Sequence, residues 1–444
     1  MTTAEENGCH DDDHFGVAVV GGGIVGLALV TGLLHRGVRV KLYEKTSAFR
    51  PIGAGIGFTP NTQQALQLLN PGAFAAQQKV TTANGDPKNP NDWLLYLDGY
   101  SSDVEELIFK LHAGYRGFEG CVRADFLDEM LKLIPPEIIQ FNKSIVDIVD
   151  PGDGAKVQMH FKDGSTAQAD VVVGCDGIKS RVRKLILGES HPAAEPSYNH
   201  QYALRDVVPM DQAIEILGDF KARNRHMHLG PGGHVVTVPI AHGKMINVVA
   251  LIEDPSDWPD PTQLTRKGGG QKAIEAYKDF GAPVRNLIKA MIERNPTPDL
   301  WGIFDSVDNP TPTFAKGRVC IAGDAAHATS PHHGAGAGMG IEDDLVLATL
   351  LANVALFSKL KRAAAVRAAL NAYSHVRKER SQWVAESSRV IGQVLEWRYP
   401  ETMRDWEKCQ AELTWRSHRI WHWDQQAMLQ EAQSAFQKLL GSVE

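Results

Sequence analysis

Residues Val17 to Gly26 read Val-Ala-Val-Val-Gly-Gly-Gly-Ile-Val-Gly, and no other stretch restricts the fold as strongly. The apolar run Val17 to Val20 predicts a buried parallel strand. It ends at glycines spaced Gly21-x-Gly23-x-x-Gly26, and Ile24 to His35 then carries helical apolar spacing. Val38 to Tyr43 predicts a second strand, which runs into Glu44, 23 residues after Gly21. Each part has a physical task. Gly21 permits the tight turn, Gly23 lets a pyrophosphate approach the backbone, and Gly26 lets the helix pack close to the sheet. The helix N-terminus faces the anion, and Glu44 accepts hydrogen bonds from a ribose diol. The combination predicts dinucleotide binding. The charge of Glu44 repels a 2′-phosphate, so the pocket suits FAD or NAD better than NADP.

A chain of 444 residues has room for two or three domains. Its net charge of −7, without a basic stripe, gives no basis for nucleic-acid binding. Cys9, Cys121, Cys175, Cys320 and Cys409 are scattered, which fits a reducing, cytoplasmic setting and neither a disulfide framework nor a zinc site. Met1 to His14 is polar and acidic and reads as a disordered tail, not a secretory signal. The longest apolar run, Leu345 to Phe357, is 13 residues and too short to span a bilayer. His418-x-x-x-His422 has helical metal spacing but lacks the adjacent Glu and a third ligand, so no metal is expected.

Further along, Arg50 to Asn61 is glycine-rich. Its small residues Gly53, Ala54, Gly55 and Gly57 suit either a plain turn or backbone laid flat against a planar ligand. A helix is expected over Thr62 to Leu69, a surface loop over Thr81 to Asp92, and another helix over Ala124 to Leu133. Asp170 to Arg183 repeats the strand-turn-helix theme around Asp176-Gly177. From Pro196 to Phe304 short strand-like runs alternate with loops, including Asp254 to Gly270, and one helical piece covers Ala273 to Glu293. This pattern reads as an antiparallel sheet domain inserted into the first domain. A third buried strand ends at Gly323-Asp324, followed by a glycine-rich loop and a helix over Ile341 to Leu360. The remainder is helical and includes Trp397, Trp406, Trp415, Trp421 and Trp423, which suit core packing better than a cofactor box.

The glycine fingerprint with Glu44, the Asp176-Gly177 turn and the Gly323-Asp324 turn together resemble the class A flavoprotein monooxygenases, the family of para-hydroxybenzoate and salicylate hydroxylases. The resemblance covers about residues 15 to 360. Loop details, with Gly-Ile-Gly-Phe-Thr-Pro-Asn (residues 55–61), look most like fungal polyketide-tailoring enzymes that hydroxylate and dearomatise resorcinol-type aldehydes. The implied fold is α/β: a Rossmann-like FAD-binding domain of the GR2 type with an inserted antiparallel β-sheet substrate domain and a helical C-terminal region. The expected boundaries are a tail at 1–14, the FAD-binding domain at 15–195 and 306–370, the substrate domain at 196–305 with help from 75–115, and C-terminal helices at 371–444.

The resemblance implies roles. Glu44, with Lys45 beside it, holds the adenosine ribose of FAD. Arg123 lies along the ribose and pyrophosphate, and Asp324 accepts from the ribityl chain. Gly57, Pro331, Gly334, Ala335, Gly336 and Ala337 pack against the isoalloxazine. The following helix N-terminus stabilises reduced flavin by roughly 0.3–2 kcal/mol. Asp176 is linked to both FAD and NADPH. Asp176 and Asp324 read equally well as helix N-caps. NADPH is the transient co-substrate, and oxygen from O2 reaches a phenol-derived ring through a C4a-hydroperoxyflavin. Arg205 matches the subgroup's phenolate-binding arginine. The subgroup also anchors substrate through a tyrosine in one of two places, and this chain has Val238 and Phe118 there. Tyr202 or Tyr115 is the alternative anchor. The expected partners are a small aromatic polyketide and O2, with the protein a monomer or homodimer. A simple aromatic or salicylate-type hydroxylase and a non-catalytic FAD-binding redox sensor are the alternatives; the Trp-x-Trp-x-Ile-Pro signature of flavin halogenases is absent.

Overall fold

The computed structural model describes residues 14–49, 55–89, 91–114, 117–152 and 154–441. The tail up to residue 13, Gly53, Ala54 and Tyr115 therefore lie outside the described residues. The opening apolar run forms the strand Gly16–Val20, with its last four residues buried. A strand with no polar face must be covered on both sides. It pairs in parallel with Arg39–Tyr43 and with Val171–Gly174. The complete sheet has six strands, ordered Ala315–Lys316, Val319–Ile321, Val171–Gly174, Gly16–Val20, Arg39–Tyr43 and Ile139–Gln140. Helix Ile24–His35 buries nearly all of its length between this sheet and helix Gly336–Val354. Their approach depends on Gly340, where a Cβ would lie 2.3 Å from Val25 Cγ2.

The second large sheet has eight strands. Their order is Thr265–Lys267, Asp299–Asp305, Ser197–Pro209, Met245–Glu253, Gly233–Ile240, His226–Gly230, Asp92–Asp98 and Leu107–His112. The hairpin over 92–112 thus completes a sheet supplied mostly by residues 197–305. One face packs Leu204, Val248 and Tyr202 against helix Ala282–Arg294 through Val284, Leu287 and Met291. The opposite face turns Met227 and Leu229 toward Phe118, Ala335 and Met339 of the first unit.

Several element boundaries differ from expectation. The single helix expected over Ala273 to Glu293 is two, Gly270–Ala276 and Ala282–Arg294. Gly281 breaks it by pressing against Ser102, and Pro283 suits the first turn of the second helix. The loop expected over Asp254 to Gly270 contains the edge strand Thr265–Lys267. The helix expected from Ile341 begins earlier, spans Gly336–Val354, and gives way to a 37-residue helix, Lys359–Leu395. That helix runs straight through position 370, because it buries Ala369 and Tyr373 in the first core and Val384 and Ile391 in the core beside the second sheet. Trp406–Trp421 and Gln425–Gly441 complete the chain's helices. His418 and His422 bond the carbonyls of His112 and Ala113, fastening the helix Trp406–Trp421 to the hairpin.

Helix Gly336–Val354 carries three consecutive, fully buried acids, Glu342, Asp343 and Asp344. Arg377 donates to Glu342 at 2.7 Å and to Asp343 at 2.8 Å, and Arg380 donates to Glu342 at 2.7 and 2.8 Å. Burial alone would raise the Glu342 carboxyl, but Arg380 and Arg377 bring it down to about 2. Neither oxygen of Asp344 has a hydrogen-bond partner among the described residues, and burial pushes its carboxyl well up. No helix among the described residues is long and apolar enough to cross a membrane.

Candidate active site

The glycine turn is built as its spacing demands. Gly21 has φ +105°, and a Cβ there would lie 2.4 Å from the Cys175 carbonyl oxygen. A Cβ on Gly26 would lie 1.9 Å from the Gly21 carbonyl oxygen. Gly23, by contrast, has nothing among the described residues within 4 Å of such an atom. It faces open space at a helix N-terminus that no side chain caps. Glu44 holds the same turn. One carboxylate oxygen accepts from the Gly22 N–H at 2.7 Å, and the other accepts from the Thr46 N–H and hydroxyl at 2.8 and 2.9 Å. Lys45 next to it is exposed.

Asp176 and Asp324 play different parts, although both follow a strand. Asp176 accepts from Ser180 Oγ at 2.5 Å and from the N–H groups of Arg181 and Val182 at 2.7 and 3.1 Å. It therefore caps helix Arg181–Leu187, together with Ser180. The Asp324 carboxylate accepts no hydrogen bond among the described residues. Its carboxylate is exposed although protein surrounds it, so it faces a cleft. Burial raises its pKa, and His327, Arg183 and Arg123 oppose that rise. A Cβ on Gly336 would lie 4.0 Å from Asp324 Oδ1, which puts this acid at the start of helix Gly336–Val354. Arg123, expected just before a helix, is the first residue of Arg123–Leu131.

Arg183 was not expected to matter, and it ties these turns together. It is fully buried and donates to the carbonyls of Ile178 at 2.6 Å, Ala194 at 3.1 Å, Ala325 at 3.0 Å and Asp324 at 3.4 Å. A basic residue in the first turn of a helix gives no sign in sequence that it points inward.

The loop Pro331 to Ala335 is latched from behind. His333 is buried and bonds Ser387 Oγ at 3.0 Å. His332 bonds Gln201 Oε1 at 3.0 Å, and Gln201 donates to both oxygens of buried Glu396 at 2.7 Å. Burial holds the His332 imidazole well below its ordinary pKa and the His333 imidazole at about 3, so both are neutral at neutral pH. Gly334, at φ +61°, makes the turn into the helix, and Ala337 stands in its first turn.

Opposite this loop, Gly55–Phe58 pairs with Glu119–Val122. Phe118 lies over Gly57, where a Cβ would be 1.9 Å from the ring. Val238 meets Gly120 beside Phe118. Pairing register puts Arg205, Val249, Val236 and Met227 in one row across the second sheet. This is the face toward Phe118, Ala335 and Met339. Arg205 is partly buried, its Nε has no hydrogen-bond partner among the described residues, and its guanidinium lies 5.5 Å from the Trp301 ring centroid. Its sequence neighbour Asp206 faces the other way and pairs with Arg294 at 3.6 Å. Tyr202 lies on that other face too, buried in the core with Trp258 and Tyr277, so it is not brought to Arg205. Arg205, Phe118 and Val238 share the cofactor-facing side.

The open space over Gly23, the uncapped helix and the unused acceptor at Asp324 fit a flavin dinucleotide laid from Glu44 to Pro331. A parallel α/β nucleotide-binding unit under a substrate sheet, with such a groove between its loops, defines an FAD-dependent oxidoreductase.

The chain belongs to the FAD-dependent monooxygenase family: the family described as FAD binding domain matches residues 14–388. The FAD-dependent monooxygenase pigN of Monascus ruber is 48% identical over 437 residues, covering 97% of this chain and 98% of that protein. The dual trans-enoyl reductase/FAD-dependent monooxygenase tazHJ of Aspergillus terreus is 44% identical over 436 residues, covering 96% of this chain and 61% of that longer protein. Among solved structures, a salicylate hydroxylase substrate complex superposes with a TM-score of 0.82 at 32% identity, covering 95% of this chain and 98% of the other. FAD is the cofactor, and the enzyme is a flavoprotein monooxygenase.

Proposed function

We propose that this enzyme uses NAD(P)H and O2 to hydroxylate a phenolic polyketide, a resorcinol-type aldehyde, with oxidative dearomatisation. One observation carries the reading: Arg205 faces the cofactor side of the substrate sheet with a buried, unpartnered Nε–H. Native proteins leave few buried donors unmade, so such a group is reserved for a ligand. Arginine remains charged when surrounded by protein, and a fixed cation next to a phenol oxygen favours the phenolate. A phenolate is electron-rich at its ortho and para carbons, which makes them nucleophiles for an electrophilic oxygen.

Bound FAD supplies acceptance of a hydride and activation of O2 for transfer of one oxygen atom. This chain's residues do the rest. Glu44 and Asp324 orient the cofactor, and the negative charge of Glu44 keeps a 2′-phosphate out of the adenosine pocket. NADPH therefore delivers hydride transiently from outside it. Phe118, Val236, Met227 and Leu229 provide an apolar wall that excludes water from the reacting centre. Val238 and Phe118 supply contact without a hydroxyl, so Arg205 sets the position of the reacting ring. The scattered free cysteines support a reducing cytoplasm as its setting.

A second reading, plain salicylate-type hydroxylation, is supported by the likeness to a salicylate hydroxylase bound to its substrate. The test is NADPH oxidation with resorcinol aldehydes, salicylate and no phenol. Arg205→Ala should abolish hydroxylation while FAD stays bound. Full product turnover by that variant would sink the assignment.

A further inference from the structure

The substrate-facing side of the sheet carries a second arginine that the reading above does not use. Arg225 is 1% exposed, yet only its Nη2 makes a hydrogen bond, to the Asp92 carbonyl at 2.8 Å. Its Nε and Nη1 donate to nothing among the described residues. Strand Gly233–Ile240 pairs His226 with Thr237, so one step further the pairing sets residue 225 opposite Val238. The guanidinium carbon lies 5.6 Å from the Phe118 ring centroid. Phe118 in turn covers Gly57 and lies 3.8 Å from where a Cβ of Gly334 would sit. Arg225 is therefore beside the aromatic that meets both cofactor loops.

Asn247 belongs to the same row. It pairs with Val238, is buried, packs against Gly55, and leaves its Oδ1 without a hydrogen-bond partner among the described residues. The unused buried polar atoms on this face thus lie on Arg205, Asn247 and Arg225. Unpaired buried polar groups are rare in native proteins, and three on one face of one sheet point to a polar ligand. The strands of Arg205 and Arg225 are three spacings apart, about 14 Å, with Val249 and Val236 forming an apolar floor between them. A floor of this kind suits the face of an aromatic ring, and a cation at each end suits an oxygen acceptor at each end.

We propose that Arg225 is a specificity-determining residue that binds a second oxygen of the substrate, a carbonyl or carboxylate, at the end opposite the phenolate held by Arg205. This subsite rests on the phenol-hydroxylase reading and supplies the second anchor that Val238 and Phe118 lack. It selects phenols bearing an acyl oxygen over the same phenols bearing a methyl group. Burial lowers the Arg225 pKa only to about 10, so the side chain is charged at neutral pH.

The test compares 2,4-dihydroxybenzaldehyde with 4-methylresorcinol on the FAD-loaded wild type, Arg225→Gln and Arg225→Lys. Equilibrium binding is measured by calorimetry, and NADPH oxidation separately. Wild type should favour the aldehyde, and Arg225→Gln should weaken aldehyde binding about tenfold or more while leaving methylresorcinol binding unchanged. The loss should appear in KM more than in kcat, and Arg225→Lys should recover part of it. FAD content and melting temperature check that each variant is folded. An unchanged aldehyde preference in folded Arg225→Gln, or equal loss for both ligands, overturns the subsite. If both ligands bind with the expected preference but neither is hydroxylated, the subsite stands and the hydroxylase reading fails.

Discussion

Arg205 and Asp176 show how far residue type and spacing reach. Both were singled out from sequence, and only their hydrogen bonds separate them. Asp176 spends its carboxylate on a helix terminus, so Asp176→Ala should lower stability by about 0.5–2 kcal/mol, the usual loss for a cap. Denaturant unfolding of the FAD-loaded protein measures this, and an unchanged midpoint would contradict the capping role. Asp344 makes a sharper case. Burial raises its folded pKa above the unfolded value, so the native state keeps a proton that the unfolded chain releases. The resulting penalty is absent below the unfolded pKa, near 4, and grows as pH rises above it. Asp344→Asn should therefore raise the melting temperature at neutral pH and make no difference near pH 3. At ~2 cal/mol/K of unfolding entropy per residue, a chain this long gains about 1 °C per kcal/mol. A gain of equal size at both pH values would contradict the protonation account. The glycine turn and the two strand-to-helix turns at Asp176 and Asp324 are legible because a tight turn and close helix packing permit few residue types. Arg183, Arg225 and Asn247 are not, since a polar residue on a strand or helix does not announce whether its partners are solvent, backbone or ligand.

Elements were legible where periodicity and breakers agreed. The strands around Val19, Val172 and Ile321 were read directly from buried runs. Helix Gly336–Val354 begins earlier than its apolar spacing indicates, because its first turn is glycine and alanine, which look like loop until packing shows why small residues are needed. Its position depends on Arg377, which holds two acids of that helix from the long helix Lys359–Leu395. Removing one partner of a buried pair strands the other charges. Arg377→Met should destabilise by about 3–5 kcal/mol and release FAD on mild heating, because Asp343 also accepts from the Gly323 N–H beside Asp324. Flavin absorbance per protein after gel filtration at rising temperature is the check. Retention equal to wild type would show that the helix is held by packing alone.

At the scale of the whole molecule, the long C-terminal helix packs against both cores and carries Ser387 and Ser388 behind the loop of His333. Cofactor groove and substrate sheet are thus fixed relative to each other by one rigid element. Sequence could not show this, since contacts between distant segments leave no local period. It did indicate an inserted sheet, and the hairpin over 92–112 extends that sheet with residues from before the second half of the nucleotide-binding unit. On the proposed reading, the groove between the two bodies is where an apolar, water-poor site with a fixed cation directs one oxygen atom onto a phenolate. The most direct measurement is product analysis after turnover under 18O2 with NADPH and a resorcinol-type aldehyde, comparing wild type with Arg205→Ala. The account predicts one labelled oxygen in the wild-type product and none from the FAD-loaded variant. Equal labelling by both proteins, or NADPH oxidation with no labelled product from wild type, would contradict it.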